Sequence, residues 1–415
     1  MNETRERSSD CNDVLQLRCA PIEHPRVGFV GVGVRGQRAV ERMANIEGVE
    51  IAALCDFIPE NLERSCQIIE QYGGCRPTLY QGEQGWQSLC ESEDIDLVYI
   101  CTDWTSHATI AIHAMECGKH VAMEVPAAMS VEDCWRLVDT SERTRRHCMM
   151  LENCIYDEFE LATLNMIDKG LLGDIVHAEA SYIHDLRQRI ATNDEGQRLW
   201  QNWQVEYMAS HTANIYPTHG LGPVALALGI HRGDRMRSLV SLSSRTVGED
   251  RAGELRGTMN TSIITTERGR TILLQHCIAL PRTYSRSYLL SGTEGYVQKY
   301  PSPSMLFATD PDHTLPPEEC AELVKQYRHP FVDEYAERGR ALCGRRWIDF
   351  LMDSRLIYCL RHGLPLDMDV YDAAEWSALT ELTELSAAQG GIPVDIPDFT
   401  RGSWNRLRRV EFATK

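Results

Sequence analysis

From Arg26 onward, short apolar runs alternate with segments whose apolar residues recur every three or four positions. Arg26-Val27-Gly28-Phe29-Val30-Gly31 is an apolar run ending in glycines, and the spacing after it predicts a helix over 37–46. A second strand over 49–56 ends on Asp56, and a helix over 59–72 starts on Pro59. Short strands at 78–80, 96–101 and 120–124 follow, with a helix over 106–117 that Gly118 stops. Ser130 opens a further helix, and Asp133 three residues on makes an imperfect capping box. This alternation predicts a parallel sheet covered by helices on both faces, a doubly wound α/β arrangement.

The rhythm changes near residue 155. Strand patterns at 175–186, 237–245, 258–267, 271–280 and 287–291 lie close together, joined by turns such as Glu267-Arg268-Gly269. They predict an open antiparallel sheet in a C-terminal α+β domain. The Pro-rich segment 301–317 reads as an irregular loop, and helices read over 343–362 and 369–389. The division expected is a polar tail (1–25), a parallel-sheet domain (26–155) and an α+β domain (156–415) whose last helices pack back.

Composition adds exclusions. The 415 residues are 43% hydrophobic and 25% charged, ordinary values for a folded chain of two domains. With 42 Lys and Arg against 60 Asp and Glu, the net charge of -18 disfavours nucleic acid and anionic membrane as partners. It says nothing about a small pocket, which can be locally positive, so a small-molecule or glycan substrate stays open. No apolar stretch is long enough for a transmembrane helix, and the first 25 residues lack an apolar signal core, so the expectation is a cytoplasmic chain. The 15 cysteines show no CxxC pair and no zinc pattern, so they read as reduced thiols, and nothing demands a metal.

Gly31-Val32-Gly33-Val34-Arg35-Gly36 is a G-x-G-x-x-G between a strand and a helix, and Asp56 ends the next strand about 20 residues later. Gly31 would allow the tight turn, Gly33 the approach of a pyrophosphate, and Gly36 close packing of helix on strand. The helix N-terminus supplies amide donors. Asp56 would accept from a ribose diol and repel a 2′-phosphate, which favours NAD over NADP. The alternative is an ordinary strand–helix turn with a helix-capping Asp56.

Further motifs carry a resemblance. The glycine loop, a Cys-Thr strand end and Glu124-Val125-Pro126 resemble the Gfo/Idh/MocA oxidoreductases, which join a Rossmann domain to an α+β domain. Most of that family reads Glu-Lys-Pro, with a lysine that assists hydride chemistry; here Val125 stands in its place and cannot carry a proton. Trp104-Thr105-Ser106-His107, Glu152-Asn153, Tyr182-Ile183-His184-Asp185-Leu186-Arg187, Tyr216-Pro217-Thr218-His219-Gly220-Leu221-Gly222-Pro223 and Arg282-Thr283-Tyr284 are together similar to glycoside hydrolase family 109, the NAD-dependent α-N-acetylgalactosaminidases. The resemblance implies a redox route to hydrolysis, an exception to the paired-carboxylate mechanism. Tightly bound NAD takes hydride from C3 of the sugar, the ketone acidifies the C2 proton, the glycosidic oxygen leaves by elimination, water adds, and the hydride returns.

Matched to the family motifs, Val34 and Arg35 lie against the NAD phosphates, and Trp104, His107, Glu124, Val125, Asn153 and Tyr216 line the nicotinamide side. His219 is the first candidate for the base at the C3 hydroxyl, because imidazole takes and returns protons near neutrality. The resemblance makes Tyr182 a sugar contact and a proton carrier near C2, with Tyr216 and Tyr284 as further sugar contacts. His184, Asp185 and Arg187 read as orienting the strand end. Family members carry a sugar-binding arginine before Tyr-Pro-Thr-His; Gln204 stands there, keeping a donor but losing the charged fork, and His211 is a candidate to compensate.

Structural alternatives stay open at each position: helix capping for His107 and His219, a strand-end acid for Glu124, a turn residue for Asn153, an exposed aromatic for Trp104, packing for Tyr182. Two other functions also remain: an ordinary NAD-dependent sugar or polyol dehydrogenase, and a non-catalytic NAD-binding protein. Relatives often pair through the antiparallel sheet face, which implies a homo-oligomer.

Overall fold

The computed structural model describes residues 4–190, 202–244 and 259–414. They form two units, one of 6–156, 330–374 and 411–414, the other of 4–5, 157–329 as far as described, and 375–410.

The first unit opens with β1 (Arg26–Val30), α1 (Val34–Met43), β2 (Glu50–Asp56), α2 (Pro59–Gln71), β3 (Thr78–Gln81) and α3 (Gly85–Glu91). It continues with β4 (Leu97–Ile100), α4 (His107–Glu116), β5 (His120–Met123), α5 (Val131–Thr144) and β6 (Cys148–Met150). The six strands are parallel, in the order β3-β2-β1-β4-β5-β6. That is the Rossmann order, with the switch point between β1 and β4, where the glycine loop leaves β1. β4 and β5 are buried along their whole length, which is why they read as unbroken apolar runs. At α5 the Ser130 hydroxyl accepts from the Asp133 amide at 3.1 Å, as the capping motif predicts.

Residues 6–25, read as a tail, belong to this unit. Val14 and Leu17 are buried, the Val14 amide donates to the Tyr371 hydroxyl at 3.0 Å, and Arg7 pairs with Glu142 at 3.1 Å. The few apolar residues here, Val14, Leu15, Leu17 and Ile22, follow neither a helical nor a strand period, so the sequence does not announce this seat.

The second unit begins with α6 (Glu158–Asp168), β7 (Ile175–Ile183), α7 (Arg187–Ile190), α8 (Asn202–Ser210) and α9 (Thr218–Ala227). Its strands continue with β8 (Met236–Ser243), β9 (Asn260–Thr266), β10 (Thr271–Cys277), β11 (Ser285–Gly292), β12 (Gly295–Gln298), β13 (Ser304–Phe307) and β14 (Asp310–Leu315), then α10 (Pro317–Gln326). The chain then returns to the first unit with α11 (Pro330–Cys343) and α12 (Trp347–His362). α13 (Val370–Ala388) starts in the first unit and ends in the second, where β15 (Val394–Asp395) closes the sheet edge. The order is β14-β13-β12-β11-β7-β10-β9-β8-β15.

Three expectations are corrected. The sheet is mixed, not wholly antiparallel: β7 runs antiparallel to β11 but parallel to β10. β7 is inserted between two strands of opposite direction, so it must be parallel to one of them. Residues 301–317 hold the β13–β14 hairpin, with Met305 opposite Leu315. Its outer strand is an exposed edge carrying Asp310, Pro311 and Asp312, which suppress the alternation a strand normally shows. The helix read from Cys343 starts at Trp347, because Cys343 instead ends α11. α10 and α11, absent from the sequence reading, each start on a proline, Pro317 and Pro330. The predicted strand ends at Arg245 and Thr258 lie outside the described residues. No described helix is long and apolar enough to cross a membrane, and the cysteines are all free thiols.

Candidate active site

The glycine loop is built by space. Gly31 lies at φ +85°, in the left-handed region, and a Cβ there would stand 2.8 Å from the Cys101 carbonyl. A Cβ on Gly36 would meet the Gly31 carbonyl at 2.1 Å, so only glycine lets α1 leave β1 this closely. A Cβ on Gly33 would meet nothing within 4 Å. Gly33 is the N-cap of α1 and offers no side-chain cap, and Val34 beside it is 67% exposed. Uncapped amides facing open space at a helix N-terminus are what an anion requires. The loop therefore fits a dinucleotide pyrophosphate.

Asp56 accepts from the Val32 amide at 2.8 Å, the Ile58 amide at 2.9 Å and Asn61 Nδ2 at 3.2 Å. It thus ties the glycine loop to the start of α2. A carboxylate has about four acceptor sites, so one more donor can be accommodated.

Beneath the loop lies a charge network that sequence reading missed. Arg35 Nε donates to Glu124 at 2.6 Å and its Nη1 to Asp349 at 3.2 Å. Asp349 also accepts from Asn153 Nδ2. One helical turn on, Asp353 accepts from Arg42 Nε at 2.6 Å and from the Tyr99 hydroxyl at 3.0 Å, while Arg42 Nη2 donates to the Tyr99 oxygen. Burial works to raise the Asp349 carboxyl, but Arg35 and Arg42 hold it below its ordinary range. The network fixes Arg35, Glu124 and Asn153 relative to one another. The one sequence signal was the four-residue spacing of Asp349 and Asp353, which places both on one helix face.

His107 is fully buried, with Nδ1 2.8 Å from the Pro126 carbonyl and Nε2 3.2 Å from that of Thr102. Both ring nitrogens face backbone carbonyls, and burial pulls the imidazole below its ordinary value, so the neutral ring donates to one of the two. Trp104 and Val125 are buried as well.

In the second unit, Tyr182 stands at the centre of an aromatic cluster. Its ring centroid lies 5.1 Å from Tyr216, 5.6 Å from His219, 6.3 Å from His276 and 6.4 Å from Tyr284. The fold explains the convergence. His276 on β10 is the ladder partner of Tyr182, and Ser285 pairs with Ile183, which brings Tyr284 opposite His184. His219 sits in the first turn of α9, and α9 packs on β7 at Gly220, where a Cβ would stand 2.4 Å from the Ser181 carbonyl. That close approach brings His219 against Tyr182, and the His219 and Tyr216 rings lie 4.9 Å apart. His276 is buried, its Nε2 has no hydrogen-bond partner among the described residues, and burial pulls its pKa down to about 4.

Residues 156–406 match the model of the glycosyl hydrolase 109 C-terminal domain, and residues 25–152 match the oxidoreductase family NAD-binding Rossmann fold. A glycosyl hydrolase family 109 protein of Phocaeicola vulgatus is 50% identical over 94% of this chain and 98% of its own. An α-N-acetylgalactosaminidase of Bacteroides fragilis is 48% identical over 95% of this chain and 96% of its own. The chain belongs to glycoside hydrolase family 109. Among solved structures, levoglucosan dehydrogenase in complex with NADH aligns with a TM-score of 0.69 at 17% identity, covering 90% of this chain and 99% of that one. An oxidoreductase domain protein of Kribbella flavida aligns at 0.71, also at 17% identity, over 91% and 100%. These likenesses concern the fold.

Within this family 109 chain, the first unit is the NAD-binding Rossmann domain and contains Gly31, Gly33, Val34, Arg35, Gly36, Asp56, Trp104, His107, Glu124, Val125 and Asn153. The second unit brings Tyr182, Tyr216, His219 and Tyr284 together and adds His184 and His276. Gln204 is half-buried on α8. His211, just past the end of α8, points Nδ1 at the Tyr207 carbonyl at 2.7 Å and stacks on that ring at 3.9 Å. Asp185 and Arg187 hold each other at 2.8 Å.

Proposed function

We propose that this protein hydrolyses terminal α-linked N-acetylgalactosamine, or a closely related sugar, with NAD kept bound and recycled. The observation that carries this reading is the Tyr182–Tyr216–His219–Tyr284 cluster, in a family 109 chain whose Rossmann unit keeps an uncapped glycine loop.

The α1 amides and Val34 would hold the pyrophosphate, and the remaining acceptor site of Asp56 would take a ribose hydroxyl. Arg35, fixed by Glu124 and Asp349, would sit against the phosphates. When bound, NAD supplies a reversible hydride acceptor for C3 of the sugar. His219 takes the C3 hydroxyl proton and later returns it. Tyr182 takes the C2 proton once C3 is a ketone. Tyr216 and Tyr284 wall the sugar, and Gln204 donates where relatives carry an arginine. An ordinary dehydrogenase is disfavoured because Val125, buried at the position of the usual lysine, has no proton to exchange.

A panel of p-nitrophenyl glycosides tests the substrate. The α-N-acetylgalactosaminide should give the highest kcat/KM. A β-anomer or a sugar without the N-acetyl group preferred by about tenfold, a difference near 1.4 kcal/mol, would overturn this specificity.

A further inference from the structure

Tyr182 and His184 are two residues apart on β7 and its extension, so both side chains fall on the same face of the sheet. The His184 amide donates to the Cys277 carbonyl at 2.8 Å, which continues the ladder past Ile183 and fixes the backbone. The Tyr182 hydroxyl lies 3.2 Å from His184 Nδ1, and the His184 ring stands edge-on to Tyr284 with centroids 5.0 Å apart. On its other sides Tyr182 meets Tyr216, His219 and His276. A free phenol titrates near 10 and is a poor base at neutral pH, whereas an imidazole in contact with it can take its proton.

We propose that His184 is the proton-storing partner of Tyr182, making the tyrosine competent to remove the C2 proton of the sugar. This rests on the redox-glycosidase reading above. In the tautomer with its hydrogen on Nε2, His184 accepts the hydrogen bond of the Tyr182 hydroxyl through Nδ1. The C2–H bond breaks, its proton goes to the Tyr182 oxygen, and the phenolic proton passes to His184 Nδ1. The electron pair from C2 forms the C1–C2 double bond and expels the glycosidic oxygen, which takes a proton from water unless it leaves as a stable aryloxide. Hydroxide from that water, or from a water that gives its proton to solvent when an aryloxide has left, adds at C1, C2 regains its proton from Tyr182, and Tyr182 regains its own from His184. The chain ends with both residues as they began.

The surroundings favour the neutral resting ring. Burial and the Arg189 charge lower the affinity of His184 for a proton, Asp185 opposes them, and His219 adds to the lowering. Tyr216, Tyr284 and His276 also face this pair.

His184 acts through Tyr182, so it is a positioning residue, and the test must separate proton storage from support. The NAD-loaded protein and its His184→Gln and His184→Ala variants would be compared in D2O with p-nitrophenyl α-N-acetylgalactosaminide and with the same substrate deuterated at C2. Glutamine can still accept from the Tyr182 hydroxyl but cannot take a proton. Both variants should keep the rate of the initial 340 nm absorbance rise within about twofold. Both should lose tenfold or more in kcat, on the scale of general-base effects, and show a larger C2 isotope effect than the native protein. A His184→Gln variant with native kcat and native isotope effect would overturn the proposal, as would equal loss of the 340 nm rise and of turnover. Should the native protein release no p-nitrophenol and incorporate no deuterium at C2, the glycosidase reading fails first and this proposal with it.

Discussion

His219 sits where a first-turn helix residue meets a strand tyrosine, with its ring 5.6 Å from Tyr182 and 4.9 Å from Tyr216. A base at the C3 hydroxyl contributes about 10²–10⁴-fold, so His219→Ala should lose at least a hundredfold in kcat with NAD affinity unchanged. Stopped-flow turnover beside calorimetric NAD binding checks both halves. Asp56 presents the opposite case. It already accepts three protein donors, and removing a charged acceptor from a ribose hydroxyl costs about 1.5–3 kcal/mol. Asp56→Ala should therefore weaken NAD about tenfold or more, and unchanged affinity would leave Asp56 a loop tie only. Both residues were legible in the sequence because each sits in a local motif. His276 was not: its nearness to Tyr182 comes from strand register, which no local spacing records.

The elements are held together at glycines, and variants there separate packing from binding. A Cβ on Gly33 meets no atom, whereas those on Gly36 and Gly220 meet carbonyl oxygens at 2.1 and 2.4 Å. Gly33→Ala should keep the native thermal midpoint and weaken NAD. Gly220→Ala should lose about 1–3 kcal/mol in urea and most of its activity, because α9 must back away from β7. A Gly220→Ala variant with native stability and kcat would contradict the packing account. At this scale the sequence was most informative where one element follows the next. The Rossmann alternation and the α5 cap were readable for that reason. The β7–β10 parallel pair, the β13–β14 hairpin and the Asp349–Arg35 bridge were not, since each depends on residues brought together from afar or on an edge strand designed to look unlike a strand.

Across the whole molecule, buried histidines tie stability to pH. Burial, helped by Arg146, pulls His120 down to about 4; burial, helped by His120, pulls His147 to about 3; burial alone pulls His276 to about 4. Their ordinary value is near 6.5, so between about 4 and 6.5 the unfolded chain binds protons that the folded chain refuses. The stabilisation is complete above about 6.5 and is lost as pH falls through that window. Each group contributes on the order of 2 kcal/mol between pH 7 and 5. Urea midpoints should be flat from pH 7 to 8 and fall below 6.5, and His147→Phe should flatten that fall. The proposed redox glycosidase activity also belongs to this scale, since the two family matches cover residues 25–152 and 156–406. Its most direct test is release of p-nitrophenol from p-nitrophenyl α-N-acetylgalactosaminide by the purified protein, with absorbance at 340 nm recorded in the same cuvette. The account predicts many turnovers with no net NADH and no requirement for added NAD once the protein is loaded. Steady NADH accumulation with each sugar consumed would contradict it and identify a dehydrogenase.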